Sequence, residues 1–479
     1  MRTRQASSTA LIADMALFRH YARGRAVMIS LNPFAREGWL RSVSRPLRRE
    51  LPNAIRRKLA ASRARSNRRG HPATFIGITG SSGKTTTASL LGHVLEAHAP
   101  TTTQAIYNTA VDIAPAVASA SRNSEFVVLE IGASKKGSVA RSARLIEPDV
   151  AIVTIVDLEH YSVFRSLEAV ADEKGWLVNA VRPGGFALLN ADDEHVLAMR
   201  RRTRERIVTY GRDEGADFRV LSAEFSFPGP LRVRIAWKGN EETLVSPLPG
   251  KHFWLAVTAA FAAAVELGVS PEQIKERIAG FGGVPNRCQI MEVPHGPTFI
   301  VDAAKAPFGT IDLAFDVMSD ATDRRRKVVI GQISDYAGNP YSKYTKAYQR
   351  ARAVADEVIA VGDNAHKVRA TEEDIASGRF HRFRDVYDVY AHLKKTAVEG
   401  DLILLKSSSS LHLERVALAW TSDVKCWEKR CGFTIGCVSC GLYSHPFHEH
   451  GRIRRREKRR RRREKIRRLV AAPFRLFRV

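Results

Sequence analysis

The stretch Thr79-Gly80-Ser81-Ser82-Gly83-Lys84-Thr85-Thr86 carries the residue types and spacing of a triphosphate cradle. Glycines let the backbone close on a phosphate, so that N–H groups and the N-terminus of the following helix face its oxygens. Lys84 adds a positive charge, and the Thr85 hydroxyl can reach a magnesium ion. The strict P-loop pattern has a further glycine five residues before Gly83, where this chain has Ile78, so the form present is the shorter T-G-x-x-G-K-T-T. Glu130, Asp157, His160 and Lys174 follow in fixed order. Glu130 and His160 suit a magnesium beside the phosphates, because hard cations take carboxylate oxygens and sometimes imidazole. Singly, Glu130, His160 and Lys174 each have a plain structural alternative: a strand-end charge, a loop histidine, a lysine on a solvated helix face. Their order after the glycine loop is what points to one site.

That site needs strands to deliver it. Phe75, Ile76 and Ile78 form a β-like run before the loop, and Leu90, Leu91, Val94 and Leu95 recur on one face of a helix after it. Glu130 ends the strand pattern Phe126–Ile131, and Val150–Ile155 leads to Asp157 and His160. Phe186–Asn190 and Ile207–Tyr210 are further strands, while Ser166–Val181, which holds Lys174, has helical spacing. Strands alternating with helices of this length predict βαβ units and a parallel sheet, with ligands at the strands' carboxyl ends. Phe218–Trp237 alternates like antiparallel β, a flap on that sheet, and His252–Leu267 and Pro271–Ile278 are predicted helices. A second α/β run has strands Phe299–Asp302, Lys327–Ile333, Glu357–Val361 and Asp401–Lys406. The expected organisation is a basic segment 1–70, a central domain 71–285, a smaller Rossmann-like domain 286–420, a Cys/His segment 421–450 and an arginine-rich tail 451–479.

Composition bounds the class. With 479 residues, 44% hydrophobic, the chain can bury more than one core. The formal charge of +26 is concentrated in 41–69 and 452–468. Such ends suit nucleic acid, an anionic membrane surface or an acidic partner, and the segment 1–70 reads either as a partly ordered lead-in or as a basic amphipathic stretch on a membrane. Five cysteines, four of them within 426–440, do not make a secreted disulfide framework. No apolar run approaches a bilayer span, and Asp14 interrupts the only short apolar stretch near the N-terminus, so no signal peptide is expected. The expected location is the cytoplasm, with the inner membrane surface open to the basic ends.

Across about residues 74–420 the chain resembles the Mur ligases, most closely the MurF type, which joins D-alanyl-D-alanine to UDP-N-acetylmuramoyl-tripeptide. The motifs are TGSSGKTTT (79–87), Tyr107-Asn108-Thr109, VVLEIGAS (127–134), EPDVAIVTIVDLEH (147–160), SLEAVADEKG (166–175), LLNADD (188–193), PGKH (249–252), PNRCQ (285–289), VVIGQISDYAG (328–338), DEVIAVG (356–362) and DLILLKSSSSLHLERV (401–416). The resemblance implies an ATP- and magnesium-dependent ligase. ATP phosphorylates an acceptor's carboxylate, and the amine of an amino acid or dipeptide attacks the acyl phosphate. It implies that Lys84 meets the transferred phosphate and that Thr85 and Glu130 hold one magnesium. It further implies that Lys174, carbamylated, and His160 hold a second, that Arg287 and Asp302 contact the nucleotide, and that Lys406 matches a C-terminal K-G-S motif.

Departures from the pattern modify those expectations. Gly250-Lys251-His252-Phe253-Trp254-Leu255-Ala256 lacks both asparagines of G-x-H-N-x-x-N, so adenine must be held by stacking or other polar groups. D-S-Y-N-A-N-P is replaced by Asp302-Ala-Ala-Lys305-Ala-Pro307, and K-G-S-R by Lys406-Ser407-Ser408-Ser409. The basic residues 1–70 stand where the MurF type has its uridine-nucleotide domain, which leaves the acceptor open. In the tail, Cys426, Cys431, Cys437 and Cys440, followed by His445, His448 and His450, could close a zinc site or be reduced thiols in a loose segment. Two readings compete with a cell-wall peptide ligase: a non-catalytic nucleic-acid or anionic-membrane binder on the ligase fold, and a ligase for another poly-amino-acid or peptide cofactor.

Overall fold

A computed structural model of the chain describes residues 53–158, 161–319, 321–433 and 435–471. Two sheets organise it. The first holds β1 (Thr74–Thr79), β2 (Thr101–Gln104), β3 (Phe126–Glu130), β4 (Val150–Val153), β5 (Phe186–Asn190), β6 (Arg206–Gly211), β7 (Phe218–Glu224), β8 (Leu231–Trp237) and β9 (Asn240–Ser246), in the order β2-β3-β1-β4-β5-β6-β7-β8-β9. Pairing is parallel from β2 through β7 and antiparallel over β7, β8 and β9. The expected flap is therefore an extension of the sheet edge: Tyr210 on β6 pairs with Phe218 on β7 and carries the ladder onward.

Strands buried on both faces need apolar runs, and β1, β3, β4 and β5 have them up to the carboxyl edge, where Thr79, Glu130 and Asn190 stand. Alternate residues serve opposite layers. Ile76, Ile78 and Val128 join one core, and Phe75, Val127 and Leu129 the other. The chain leaves β1, crosses to β2, returns through β3 and then passes to β4 on β1's other side. The loop after β1 consequently opens at a topological switch point, where α/β sheets bind ligands.

The second sheet holds β10 (Gln289–Glu292), β11 (Thr298–Asp302), β12 (Arg326–Ile330), β13 (Glu357–Val361), β14 (Phe380–Phe383) and β15 (Leu402–Lys406), in the order β10-β11-β15-β12-β13-β14. Only β10 runs antiparallel. The core on one face of the first sheet runs without a break into Ile300, Val328, Leu402 and Leu404 of the second.

Two stretches differ from expectation. Within the basic lead-in, Asn53–Arg68 is a helix packed on the helix Ala110–Ser119. Ala64 is fully buried there, and Asn67 donates from Nδ2 to Val117 O (2.8 Å) and Ala120 O (3.1 Å). Arg68 donates to Ile146 O (2.6 Å), Glu147 O (2.7 Å) and Asp149 Oδ2 (3.1 Å), with its guanidinium 4.2 Å from the centre of the Phe75 ring. Beyond the helix Arg415–Thr421, the Cys/His segment folds back on the second domain. Val424 and Cys437 pack with Leu418, and Trp427 lies against Tyr390. The arginine run lies in the helix Phe447–Ala471. Among the described residues no helix is long and apolar enough to cross a membrane.

Candidate active site

The loop after β1 is fixed before any ligand contact is considered. At Gly80 (φ 148°) a Cβ would lie 1.9 Å from Thr154 Oγ1, so no larger residue fits against the end of β4. Gly83 takes φ 78° to start the helix Lys84–Leu95, a left-handed conformation that favours glycine. Thr79, fully buried, donates from Oγ1 to Ile131 O (2.9 Å). Ser81 N donates to Ile155 O (2.6 Å), Asp157 N to Ser81 Oγ (2.9 Å), and Thr154 Oγ1 to Ser82 O (2.6 Å). Lys84 is 5% exposed, with Nζ donating to Gly80 O and to Ser81 O (3.2 Å).

Parallel register brings the end of β3 beside this loop. Glu130, 1% exposed, accepts from Thr85 Oγ1 (3.1 Å), Asn108 Nδ2 (2.6 Å) and Ile106 N (2.7 Å). A carboxylate and a hydroxyl side by side at the mouth of a phosphate loop are hard oxygen donors, and they fit magnesium. Asn108 lies in the stretch Tyr107-Asn108-Thr109, whose sequence alone carries no sign of this role. Its partner lies 22 residues away, and only folding makes the pair.

A cleft of about 540 Å³ joins the two domains. From the first it is lined by Ser81 through Thr86 and Glu130, and from the second by Arg287, Asp302 and Lys406. Lys406 Nζ lies 2.5 Å from Asp302 Oδ2 and donates also to Lys305 O (3.2 Å). Arg287 sits between Asn286 (φ 61°) and Cys288 (φ 48°), two non-glycine residues in left-handed conformation, a strain that clusters at functional sites. Burial, and Asp302 after it, push the Cys288 thiol well above its ordinary range. Burial pulls His252 down to about 4, against the opposing influence of Asp302 and with a smaller push from the charge of Lys406, so at neutral pH it is an uncharged imidazole.

Where the resembled pattern has asparagines, Phe253 and Ala256 line the cleft together with Trp254. The Arg212 guanidinium stands 4.9 Å over the Trp254 ring. Asn190, Asp192 and His195 also face the cleft. The run Leu188–Asp193 at a strand end is the sequence signal for Asn190 and Asp192, and His195 lies just beyond it.

Lys174 is fully buried in the helix Leu167–Asn179 and is not part of the cleft lining. One turn further on, Leu177 packs where a Cβ on Gly77 of β1 would be (2.8 Å), so the helix lies directly on the strand that leads to the loop. Its neighbour Glu173 accepts from Gly137 N (2.6 Å) and Val139 N (2.8 Å), holding the start of the helix Ser138–Ile146. His160 lies outside the described residues. The four tail cysteines line a separate small cavity.

Comparison with known proteins finds two family domains in this order. Residues 78–264 match the Mur ligase middle domain, and residues 286–409 the Mur ligase, glutamate ligase domain. The UDP-N-acetylmuramoyl-tripeptide--D-alanyl-D-alanine ligase of Escherichia coli K12 is 26% identical over 80% of this chain and 85% of its own length. The UDP-N-acetylmuramate--L-alanine ligase of Methylobacterium nodulans is 34% identical over 44% of this chain and 45% of its own. The crystal structure of the MurF ligase from Thermotoga maritima in complex with ADP superposes with a TM-score of 0.68. It covers 76% of this chain and 83% of that one at 19% identity, and so speaks for the fold.

Proposed function

The chain belongs to the Mur ligase family through its middle and glutamate ligase domains, and we propose that it is an ATP-dependent ligase joining a carboxylate acceptor to the amine of an amino acid or dipeptide in cell-wall peptide synthesis. One observation carries this reading. A single cleft faces the phosphate loop, Thr85 and Glu130 from one side and Arg287, Asp302 and Lys406 from the other. A triphosphate and two joining partners fit such a two-sided site, and a simple nucleotide binder has no need of the second wall.

The acceptor carboxylate takes the γ-phosphoryl group, leaving an acyl phosphate and ADP. The amine attacks the acyl carbon, phosphate departs with the bonding pair, and the amine loses a proton as the amide forms. Such transfer depends on positioning and charge neutralisation. Lys84 would balance charge on the moving phosphoryl group. Thr85 and Glu130 would hold magnesium, which supplies further neutralisation when bound. Lys174, as a carbamate, with His160 would hold a second ion, and Arg287 and Asp302 would contact the nucleotide. Stacking on the Trp254 face fits a base site without asparagines, and predicts weak discrimination between purines.

Changes at Ala303–Pro307 and Ser407–Ser409 support a donor or acceptor different from those of the relatives, whose names specify UDP-N-acetylmuramoyl substrates. The helix Phe447–Ala471, with thirteen basic and two acidic residues between 452 and 468, supports contact with a polyanion. An anionic membrane surface fits a cytoplasmic enzyme of this pathway.

The test is a screen of carboxylate and amine pairs by phosphate release, with mass spectrometry of the product. Release that requires both partners, with an amide product, sustains the reading. Salt-sensitive binding to nucleic acid or anionic vesicles without turnover on any pair replaces it with the non-catalytic alternative.

A further inference from the structure

The ligase chemistry leaves the cysteine-rich tail without a task. Cys426, Cys431, Cys437 and Cys440 line one cavity of about 10 Å³ together with His412 and Arg415, room for a single water-sized body. Cys426 and Cys437 are 3% and 4% exposed, and no cysteine is in a disulfide. Cys437 and Cys440 occupy one short helical turn that ends at Gly441 (φ 68°), a C-x-x-C-G knuckle.

Cations surround these sulfurs. Arg415, 2% exposed, donates from Nε to Cys437 Sγ (3.1 Å), and Arg454 donates from Nη2 to Cys440 Sγ (3.3 Å). Arg415 also donates to Glu428 O (2.7 Å), and a thiolate at Cys437 matches the buried guanidinium better than a neutral thiol does. His412 has Nε2 3.0 Å from Phe433 O and 3.1 Å from Cys431 Sγ, with Nδ1 3.5 Å from Glu414 Oε1. Its Nδ1 also lies 3.7 Å from Cys437 Sγ, so the imidazole touches two of the four sulfurs and can donate to both from beside them.

We propose that Cys426, Cys431, Cys437 and Cys440 bind one zinc ion as thiolates. Four thiolates on a divalent ion carry a net charge of minus two, and Arg415 and Arg454 supply the matching pair of positive charges from outside the ligand set. Each thiol gives up its proton as it binds. The sulfurs stand apart: the metal-type ligand atoms here that lie within 4.8 Å of one another belong to His412, Glu414 and Cys437, so closing on the ion draws the sulfurs inward. The site ties the tail to His412–Arg415, a few residues beyond Lys406 in the cleft, and so staples a loop of the second domain.

The full chain, purified without chelator, is expected to contain about one zinc per chain. Cobalt exchange should produce a strong sulfur-to-cobalt charge-transfer band. Cys426→Ser/Cys440→Ser should lose both zinc and band, and Cys288→Ser should keep both. Should the double variant fail to fold, a mercurial titration of the native chain should release its zinc in step with four thiols. Metal-free protein with five titratable thiols, a disulfide within the cluster, or zinc retained by Cys426→Ser/Cys440→Ser would each overturn the proposal, the last by moving the ion to His412, Glu414 and Cys437.

Discussion

Lys406 Nζ stands 2.5 Å from Asp302 Oδ2, and the two are register partners on the parallel strands β15 and β11, so a buried ion pair closes the carboxyl edge of the second sheet where it meets the cleft. The residues are 5% and 7% exposed, and removing one strands the other's charge in a poorly solvated place. Lys406→Met is expected to cost roughly 3–5 kcal/mol, and Asp302→Asn/Lys406→Met markedly less than the sum of the singles. A double-mutant cycle on chemical unfolding measures this. Strictly additive losses would show that the pair is uncoupled.

Lys84→Ala should reduce acceptor-dependent phosphate release by about 10³-fold, the scale on which a single positive charge at a transferring phosphoryl group acts. The Lys84 side chain lines the cleft, and its ammonium donates to two loop carbonyls, Gly80 O and Ser81 O. Thermal unfolding should therefore stay close to the parent's. Near-parental turnover would remove the glycine loop from the reaction.

The legible part of this molecule is the part where one residue's environment repeats along a run. β1, β3 and β5 are buried on both faces, so their apolar sequences announce them, and Thr85 and Glu130 meet at 3.1 Å because neighbouring parallel strands end together. The strands with no clear sequence signal are the four at sheet edges: β2 reads Thr-Thr-Thr-Gln, β9 opens on the polar run Asn-Glu-Glu-Thr, β10 reads Gln-Ile-Met-Glu, and β14 sets His381 and Arg382 side by side between two phenylalanines. The helix Asn53–Arg68 was hidden by its arginines, one of which is spent on backbone carbonyls 78 and 79 residues away. Asn108 on Glu130, and Arg415 and Arg454 on the tail sulfurs, are pairings that only tertiary structure makes.

Lys174 sits with 0% exposure in a helix laid on β1, an expensive place for a lysine without a function. If it acts as a carbamate that helps hold a second magnesium, Lys174→Ala should lose about 10²-fold in turnover. Acetate or formate, small enough to occupy the vacated volume, should restore part of that loss. Circular dichroism separates this outcome from misfolding. A Lys174→Ala enzyme that works like the parent, or a folded one that no short carboxylate rescues, would end the second-metal idea.

Acid should destabilise the fold from about pH 6.5 downward, through His93 as well as His252. Arg277 donates to His93 O (3.0 Å) and to His93 Nδ1 (3.1 Å), which makes that nitrogen an acceptor, and Nε2 is buried with no hydrogen-bond partner among the described residues. Burial, and Arg277 after it, pull His93 down to about 4. The folded chain thus keeps His93 neutral while the unfolded chain, with an ordinary value near 6.5, takes up a proton. The stability His93 contributes is complete above about pH 6.5. It falls as the pH drops toward 4 and levels off below that, with a limiting slope of about 1.4 kcal/mol per pH unit for each such histidine. His93→Gln, whose amide can still accept from Arg277, should remove one proton's worth of that slope while leaving stability at pH 8 nearly unchanged. Unfolding measured from pH 8 to pH 4 decides it: an acid slope identical in parent and variant would mean that His93 already carries its proton in the folded state.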